Sequence, residues 1–198
     1  MANEVLSDAK RRLIDSARGL FAQKGYTNTS IRDIAKACGI NSATLYSHFP
    51  SKADLYVRIV DPYLDAAQTA FSAAAQTDGD GITRLEAMMQ ATIEVQRTYR
   101  DEYLSLVRDW HSTRLMPELA HIVERRRMGS EFWLNVIKDG IDDGSLRGDV
   151  RPGQVQWLIA NFVAAVFDDR FEGAAEEPVE AERRATLAVL LDGLRAPP

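Results

Sequence analysis

Residues 29–55, TSIRDIAKACGINSATLYSHFPSKADL, contain two short apolar repeats separated by a glycine. The apolar residues of the first repeat recur three, four and seven positions apart, which is the spacing of one face of a helix. They are Ile31, Ile34, Ala35 and Cys38. Either Thr29 or Ser30 can cap such a helix at its N-terminus. The first repeat therefore predicts a short amphipathic helix.

A tight turn and a second helix follow in the same stretch. Gly39 is expected to end the first helix, because the residue after a helix often adopts the left-handed conformation that glycine tolerates. Asn41 can cap a second helix over residues 42–48, and Leu45 and Phe49 are spaced to bury one face of it. Two helices joined in this way predict a helix-turn-helix, which favours DNA binding.

The same region resembles the DNA-binding domain of the tetracycline-repressor (TetR) family of bacterial regulators. Four sequence elements carry the resemblance: Phe21-Ala22 with Gly25-Tyr26, Thr29 with residues 31–35 (IRDIA), Gly39-Ile40, and residues 45–52 (LYSHFPSK). Two positions depart from the family pattern. Asn41 stands where Ser is usual, and Ala43 stands where Gly is common. The rest of the chain is similar to the family only in outline, as a helical block of the expected length.

The resemblance implies an all-α fold with two domains. An N-terminal three-helix helix-turn-helix domain is expected over residues 1–52, and a helical ligand-binding and dimerisation domain over residues 53–198. Apolar periodicity predicts about nine helices in the two domains together. The resemblance also implies a ligand-responsive transcriptional repressor. Such a protein binds a palindromic DNA operator as a homodimer and is released by a small-molecule effector.

The N-terminal part of the second motif helix is expected to read base edges in the major groove. Its outward residues are short, so they offer few hydrogen bonds, and specificity would also depend on Arg32 and on DNA shape. The predicted base-reading residues are Ser42, Ala43, Thr44 and Ser47.

Phosphate contacts follow from the resemblance at Tyr46, His48 and Lys52. Thr29, next to the free N–H groups of a helix N-terminus, can also meet a phosphate. Two alternatives stay open here. Tyr46 can pack against the protein instead, and His48 can cap the turn before Pro50.

The charge of the chain is divided along its length. The 198 residues carry a net charge of −5. Residues 1–60 hold nine Lys and Arg against five Asp and Glu, a net +4, whereas residues 61–198 hold fifteen against twenty-four, a net −9. A positive N-terminal region can neutralise phosphates, while an acidic remainder limits nonspecific adhesion to DNA.

Composition points to a cytoplasmic protein without a membrane partner. No apolar run approaches the roughly 18 residues of a membrane span, and the N-terminus is polar where a signal peptide would be apolar. The single cysteine, Cys38, excludes an internal disulfide and suits a reducing compartment. Its position on an apolar helix face favours packing over redox sensing.

The long segments after the motif predict further helices. Ser7 can cap a helix that precedes the motif, and Ser51 with Asp54 can cap a long helix that contains Pro62. Pro62 predicts a kink, which either hinges the two domains or only shapes their packing. Single helices are also expected over residues 102–111 and 118–141.

The last two helices are predicted over residues 154–171 and 179–194, and the first is nearly apolar over residues 155–167, more than one chain's surface would normally tolerate. We therefore expect them to pair with a second copy of the chain. The predicted interface residues are Trp157, Leu158, Phe162, Val166, Leu187, Leu190, Leu191 and Leu194.

An aromatic set in the middle of the chain predicts an effector pocket, because such sites combine aromatic walls with few polar groups. Stripes of this kind can equally be core. The predicted ligand-binding residues are Tyr99, Tyr103, Val107, Arg108, Trp110, His111, Arg114, Phe132, Trp133 and Val136. In the run of residues 125–127, three consecutive arginines, one is expected to be solvated while another can meet an anionic ligand.

Parts of the second half are similar to family members that sense acyl-coenzyme A intermediates of lipid or steroid breakdown. A multidrug-type sensor that controls efflux genes is the alternative, and so is a constitutive DNA-binding protein without a ligand. The sequence contains no recognisable catalytic motif, so an enzyme is not expected. His111 and His121 lack the spacing of a zinc site, and there is no phosphate loop, so no metal or cofactor is expected.

Overall fold

The computed structural model describes residues 8–165 and 176–197, and this part of the chain consists of helices joined by turns and loops, with one isolated bridge between Leu146 and Arg195. It confirms the predicted all-α class. The helices are α1 Asp8–Lys24, α2 Ile31–Ala37, α3 Ser42–His48, α4 Lys52–Ala74, α5 Gly81–Thr98, α6 Arg100–Arg108, α7 Trp110–Thr113, α8 Ala120–Asp142, α9 Pro152–Ala165 and α10 Glu176–Leu194, with a 3₁₀ turn at Pro117–Leu119.

The sequence predicted about nine helices by periodicity, and the described residues form ten α-helices. The difference arises where one helix was predicted over residues 102–111. The backbone of Asp109 leaves the helical conformation there, so that α6 ends at Arg108 and α7 begins at Trp110. Ser7, the predicted cap of α1, lies outside the described residues.

The helix ends of the motif are held by the side chains that the sequence indicated. Ser30, rather than Thr29, caps α2: its Oγ accepts the Asp33 N–H at 3.1 Å, while the Asp33 carboxylate accepts the Ser30 N–H at 2.9 Å. Asn41 Oδ1 accepts the Thr44 N–H at 2.8 Å at the start of α3. Ser51 Oγ likewise accepts the Asp54 N–H at 3.0 Å at the start of α4. Each cap satisfies an N–H that the helix leaves unpaired.

The turn between α2 and α3 depends on Gly39, whose φ of +68° lies in the left-handed region. A side chain in this conformation costs roughly 1–2 kcal/mol. The Ile40 N–H then donates to the Ala35 carbonyl at 3.0 Å, which closes the C-terminus of α2. The turn predicted from sequence is therefore present.

Contacts divide the chain into two compact units. Unit 1 comprises residues 1–66 and 96–127, and unit 2 comprises residues 67–95 and 128–198. The helices α4, α5 and α8 each contribute one segment to each unit. The domain boundary that the sequence suggested after residue 52 stays a prediction.

The core of unit 1 is an aromatic cluster at the base of the helix-turn-helix. The rings of Phe21 and Tyr56 meet edge to face at 5.1 Å, and Tyr26 lies 4.8 Å from Tyr56. All three side chains are almost fully buried. The Tyr56 hydroxyl donates to the Ser105 carbonyl at 3.0 Å, which ties α4 to α6.

Polar contacts also tie α6 to the region before the motif. Arg108 Nε donates to the Ala22 carbonyl at 2.8 Å. Asp109 Oδ2 accepts both the backbone N–H and the hydroxyl of Thr27, at 2.7 and 2.6 Å. Arg18 Nε lies 2.8 Å from a Glu102 carboxylate oxygen. The helix that follows α5 is therefore fixed to α1 at several points.

Unit 2 has its own apolar core. Phe71 packs edge to face on Trp133 at 5.7 Å, and buried leucines of α10 complete the cluster. Asp143 Oδ2 accepts the Gly81 N–H at 2.7 Å, so the end of α8 caps the start of α5. The Arg147 N–H donates to the Leu194 carbonyl at 2.9 Å and secures the end of α10.

Pro62 lies inside α4, which continues through it as one helix. Its predicted role as a hinge stays a prediction. Among the described residues, none of the helices combines the length and the apolar character that crossing a membrane requires.

Candidate DNA-binding surface and effector site

The outer face of α3 is exposed over most of its length. Leu45 and Phe49 are buried and hold the helix against the rest of unit 1. The opposite face presents small polar and methyl groups together with Tyr46, which is 51% exposed. Ala43, Thr44 and Ser47 are exposed, and Ser42 is half-buried. All four predicted base-reading residues therefore belong to one short helix whose inner face is buried.

The polar groups of α3 are partly engaged within the helix. The Thr44 hydroxyl donates to Asn41 Oδ1 at 3.1 Å, and the Ser47 hydroxyl donates to the Thr44 carbonyl at 2.7 Å. Both oxygens keep lone pairs that can accept from an exposed base amino group. The Thr44 methyl group is equally available for a thymine methyl.

Tyr46 is not packed into the protein, which removes the alternative that the sequence left open for it. His48 is half-buried at the end of α3. Within the described residues its ring makes no hydrogen bond to the turn before Pro50. The phosphate contacts assigned to both residues stay predictions.

The sequence reasoning overlooked one cation on α2. Arg32 and Lys36 are both exposed and stand four positions apart, so they lie on the same face of the helix. Arg32 was predicted as a DNA contact and Lys36 was not. The spacing of these two cations, four positions apart and close to the turn, could have identified Lys36 from the sequence.

Thr29 does not have the role that the sequence suggested. Its side chain is 1% exposed, and its hydroxyl donates to the Gly25 carbonyl at 2.7 Å. A buried hydroxyl with this partner cannot reach a phosphate. The prediction of a phosphate contact by the Thr29 side chain is therefore wrong, because the residue closes the turn between α1 and α2.

Lys52 is also engaged inside the protein. Its ammonium donates to the carbonyls of Tyr26 and Thr29, at 2.8 and 3.1 Å. It also lies 4.0 Å from the centroid of the Tyr26 ring. Burial lowers the pKa of this lysine from its usual value. Because two of the three ammonium donors are used, Lys52 chiefly joins the start of α4 to the loop before α2.

The predicted effector residues are not brought together as one set. Phe132, Trp133 and Val136 belong to unit 2, where Trp133 and Val136 are buried in the core and Phe132 packs against it. The others belong to unit 1. Of these, Val107, Arg108, His111 and Arg114 are exposed. The apolar members therefore serve partly as core, as the alternative interpretation held.

Three predicted residues of unit 1 lie near Arg126, a member of the arginine run, or near Tyr63, which was not predicted. The guanidinium carbon of Arg126 lies 4.2 Å from the centroid of the Trp110 ring. Tyr63 is the neighbour of both Tyr99 and Tyr103, with ring centroids at 6.4 and 6.1 Å. The tyrosines at positions 63 and 103 also act electrostatically on Arg126. Tyr63 was missed because it lies on α4, far from the others in sequence.

The predicted dimer residues separate into two groups. Trp157 is 68% exposed and Leu158 is 43% exposed, whereas Leu187, Leu191 and Leu194 are buried in the core of unit 2. Phe162 and Leu190 are half-buried against the same core, and Val166 lies outside the described residues. The three buried leucines are therefore wrong as interface residues. Val189, which was not predicted, is 74% exposed.

Comparison with family models gives matches in both halves of the chain. A model for bacterial regulatory proteins of the tetR family matches residues 13–59. A model for the tetracyclin repressor-like C-terminal domain matches residues 78–168. The first spans the helix-turn-helix and the second spans α5 to α9.

Similar proteins agree with these matches. The transcriptional repressor KstR2 of Rhodococcus jostii is 28% identical over 198 residues, covering 96% of this chain and 93% of that protein. The transcriptional regulator UidR of Escherichia coli is 24% identical over 188 residues, covering 94% and 89%.

Solved structures share the fold. The ketosteroid transcriptional regulator KstR2 of Mycobacterium tuberculosis superposes with a TM-score of 0.82 at 23% identity, with 97% of each chain covered. The regulator AibR, solved with isovaleryl coenzyme A and operator DNA, gives a TM-score of 0.75 at 22% identity, covering 93% of this chain and 98% of AibR.

Proposed function

Because this chain belongs to the TetR family of bacterial regulators, we propose that it is a transcriptional repressor that binds a palindromic operator as a homodimer and is released by a small molecule. The exposed outer face of α3 is the observation that carries this proposal. Leu45 and Phe49 anchor the helix, and Asn41 fixes its N-terminus. A helix held in this way can enter a major groove as a rigid body.

Base recognition is assigned to Ser42, Ala43, Thr44 and Ser47. None of these side chains can make the two-pronged contact that arginine makes with guanine, so specificity also depends on the shape of the DNA. Arg32 is the longer side chain available at the edge of the motif. The operator is therefore expected to contain thymine methyl groups at contacted positions.

Phosphate contacts are assigned to Tyr46, His48, Arg32 and Lys36. Each exposed cation that neutralises a phosphate releases condensed counterions and makes binding salt-dependent. The net +4 of residues 1–60 supports this assignment. Lys52 has one donor left and contributes chiefly through the fold.

Two recognition helices must be about 34–36 Å apart, one turn of DNA, to read two half-sites. The exposed side chains of Trp157, Leu158 and Val189 on α9 and α10 support pairing of two copies through these helices.

The effector is proposed to be a small molecule from lipid or steroid breakdown, as a free acid or an acyl-coenzyme A. Support comes from the similarity to KstR2 and to AibR, which was solved with isovaleryl coenzyme A. A ligand that favours another spacing of the two recognition helices shifts the population away from DNA. We expect the protein to act in the cytoplasm, where the operator lies.

Selection from random double-stranded DNA, followed by titration of the enriched sequence, tests the proposal. We expect a palindrome, and we expect the double variant Thr44→Ala with Ser47→Ala to bind it at least about tenfold more weakly. Gln90→Ala, an exposed change on α5, is the matched control and should bind like the wild type. Enrichment of no palindrome, or equal weakening by the control, would contradict the proposal.

A further inference from the structure

The arginine run at residues 125–127 places three consecutive guanidinium groups in different settings. Arg125 lies 2.6 Å from Asp65 and 3.7 Å from Asp61. Arg127 donates to both carboxylate oxygens of Glu124, at 2.9 and 2.7 Å. Arg126, between them, has no carboxylate within ion-pair distance among the described residues. The middle arginine is therefore the one whose charge stays uncompensated.

The Arg126 guanidinium instead lies over the ring of one aromatic side chain and near three phenols. It stacks on Trp110 at 4.2 Å, and the hydroxyl groups of Tyr63, Tyr103 and Tyr56 are its electrostatic neighbours. Burial raises the pKa of Tyr103 to about 12 and also raises the pKa values of Tyr63 and Tyr56. The phenols are therefore neutral at physiological pH and do not supply a counter-charge.

Desolvation lowers the pKa of Arg126, yet a guanidinium keeps its proton in proteins. A partly desolvated guanidinium that has no carboxylate beside it is stabilised when an anion pairs with it. The contact with Trp110 offsets part of the cost of desolvation. An anion bound in the cluster would offset the rest of this free-energy cost.

A second side chain of this region, Gln96, has an unpaired polar atom. Its side chain is 5% exposed and its amide hydrogen-bonds to the Tyr63 hydroxyl, while its Oε1 is buried and accepts no hydrogen bond from the described residues. Buried amide oxygens are normally paired. Among the described residues, the cluster therefore contains a cation without a carboxylate partner and an acceptor without a donor. Because Tyr99, Trp110 and Arg126 are only half-buried, it is open to solvent.

We propose that this cluster, made of Arg126, Gln96, Trp110 and the tyrosines at positions 63, 99 and 103, binds a ring-containing carboxylate that carries a hydroxyl group. The carboxylate pairs with the guanidinium of Arg126, the hydroxyl donates to Gln96 Oε1, and the ring lies among the aromatic side chains. A single guanidinium matches a monoanion, whereas a phosphate dianion would leave a buried negative charge. This inference rests on the proposed function, because it names the chemistry of the effector.

The test is isothermal titration of the full-length protein, without DNA, at constant ionic strength. The probes are 3- and 4-hydroxybenzoate, with benzoate, 4-hydroxybenzamide and benzoyl coenzyme A for comparison. We expect a hydroxybenzoate to bind more tightly than benzoate, and both acids to bind at least about tenfold more tightly than the amide. Equal binding of acid and amide, binding of the thioester alone, or binding of no acid would overturn the proposal.

Three variants test where the carboxylate binds. Arg126→Met keeps an unbranched aliphatic stem and removes the charge, so the preference for acid over amide should disappear. Arg127→Met, next to it on the exposed side, should keep the preference. Arg126→Lys keeps the charge without the forked geometry, so it should retain the preference with weaker binding. Loss of the preference in both Arg126→Met and Arg127→Met would contradict a specific role for Arg126.

The two proposals can fail separately. If a hydroxybenzoate binds but the operator complex persists, the site stands and release by this ligand class is wrong. If a neutral compound releases the operator and no acid binds, the repressor function stands and the Arg126 site is wrong.

Discussion

Two lysines of the helix-turn-helix region carry the same charge in opposite settings. Lys36 is exposed on α2, whereas Lys52 donates two hydrogen bonds to the carbonyls of Tyr26 and Thr29. A family pattern assigns the phosphate contact to Lys52. The geometry instead divides the roles, with Lys52 securing the fold and Lys36 available to DNA.

Lys52→Met should lower the free energy of unfolding by roughly 2 kcal/mol, because two charge-assisted hydrogen bonds are lost and two carbonyls lose their donor. Lys36→Met should leave stability unchanged, weaken operator binding, and reduce the salt dependence of binding by about one counterion. Denaturant unfolding and DNA titrations over a range of salt concentrations measure both effects.

The reverse result would restore the original assignment. If Lys52→Met unfolds like the wild type but loses operator affinity and salt dependence, Lys52 is a phosphate contact. In that case Lys36→Met would be expected to bind like the wild type.

The start of α5 and the end of α8 approach each other through two glycines. A Cβ added to Gly81 would lie 2.1 Å from the Cα and 2.5 Å from the nitrogen of Gly140. Both atoms belong to the backbone, so no side-chain movement can relieve the overlap. Asp143, which accepts the Gly81 N–H at 2.7 Å, and Ser145, which accepts the Ile82 N–H at 3.1 Å, fix the same helix ends.

Gly81→Ala should therefore destabilise unit 2 by about 1–3 kcal/mol, the usual cost of overpacking. Gly19→Ala is the matched control, because no atom lies within 4 Å of a Cβ at that position. As an interior residue of α1, it should stabilise the protein by up to about 1 kcal/mol. Thermal unfolding of both variants checks the pair, and an unchanged midpoint for Gly81→Ala would refute the close approach.

For the whole molecule, the proposed function requires a second copy of the chain. The last two described helices present the apolar groups for it, with Trp157 at 68% and Val189 at 74% exposure. The remainder of the chain after residue 60 carries a net charge of −9. Pairing must therefore rely on apolar contacts at these helices that outweigh the repulsion between two acidic copies.

Trp157→Glu should weaken self-association at least about thirtyfold, because a large aromatic side chain at an interface centre contributes 2 kcal/mol or more. Leu115→Glu is the control: Leu115 is 71% exposed but belongs to unit 1. Sedimentation velocity over a range of protein concentrations measures both. A wild type that is monomeric at micromolar concentration, or equal effects of the two variants, would exclude the α9 and α10 interface.

The sequence by itself determined the helix-turn-helix almost residue by residue. Its caps at Ser30 and Asn41, its turn at Gly39 and the bounds of α3 depend on local hydrogen bonds and backbone conformation. Such interactions involve residues a few positions apart, so the local pattern specifies them. The all-α class follows from apolar periodicity for the same reason.

Only the tertiary structure decided which polar side chains are used inside the protein. Thr29 is buried with its hydroxyl bonded across a turn, and Lys52 donates to carbonyls 23 and 26 residues away. Three leucines of α10 proved to be core, and Arg126 proved to be the member of the arginine run that has no carboxylate partner among the described residues. Burial and charge pairing depend on residues that are distant in sequence. Periodicity therefore does not indicate which of two neighbouring apolar residues is buried, or which of two neighbouring charged residues forms an ion pair.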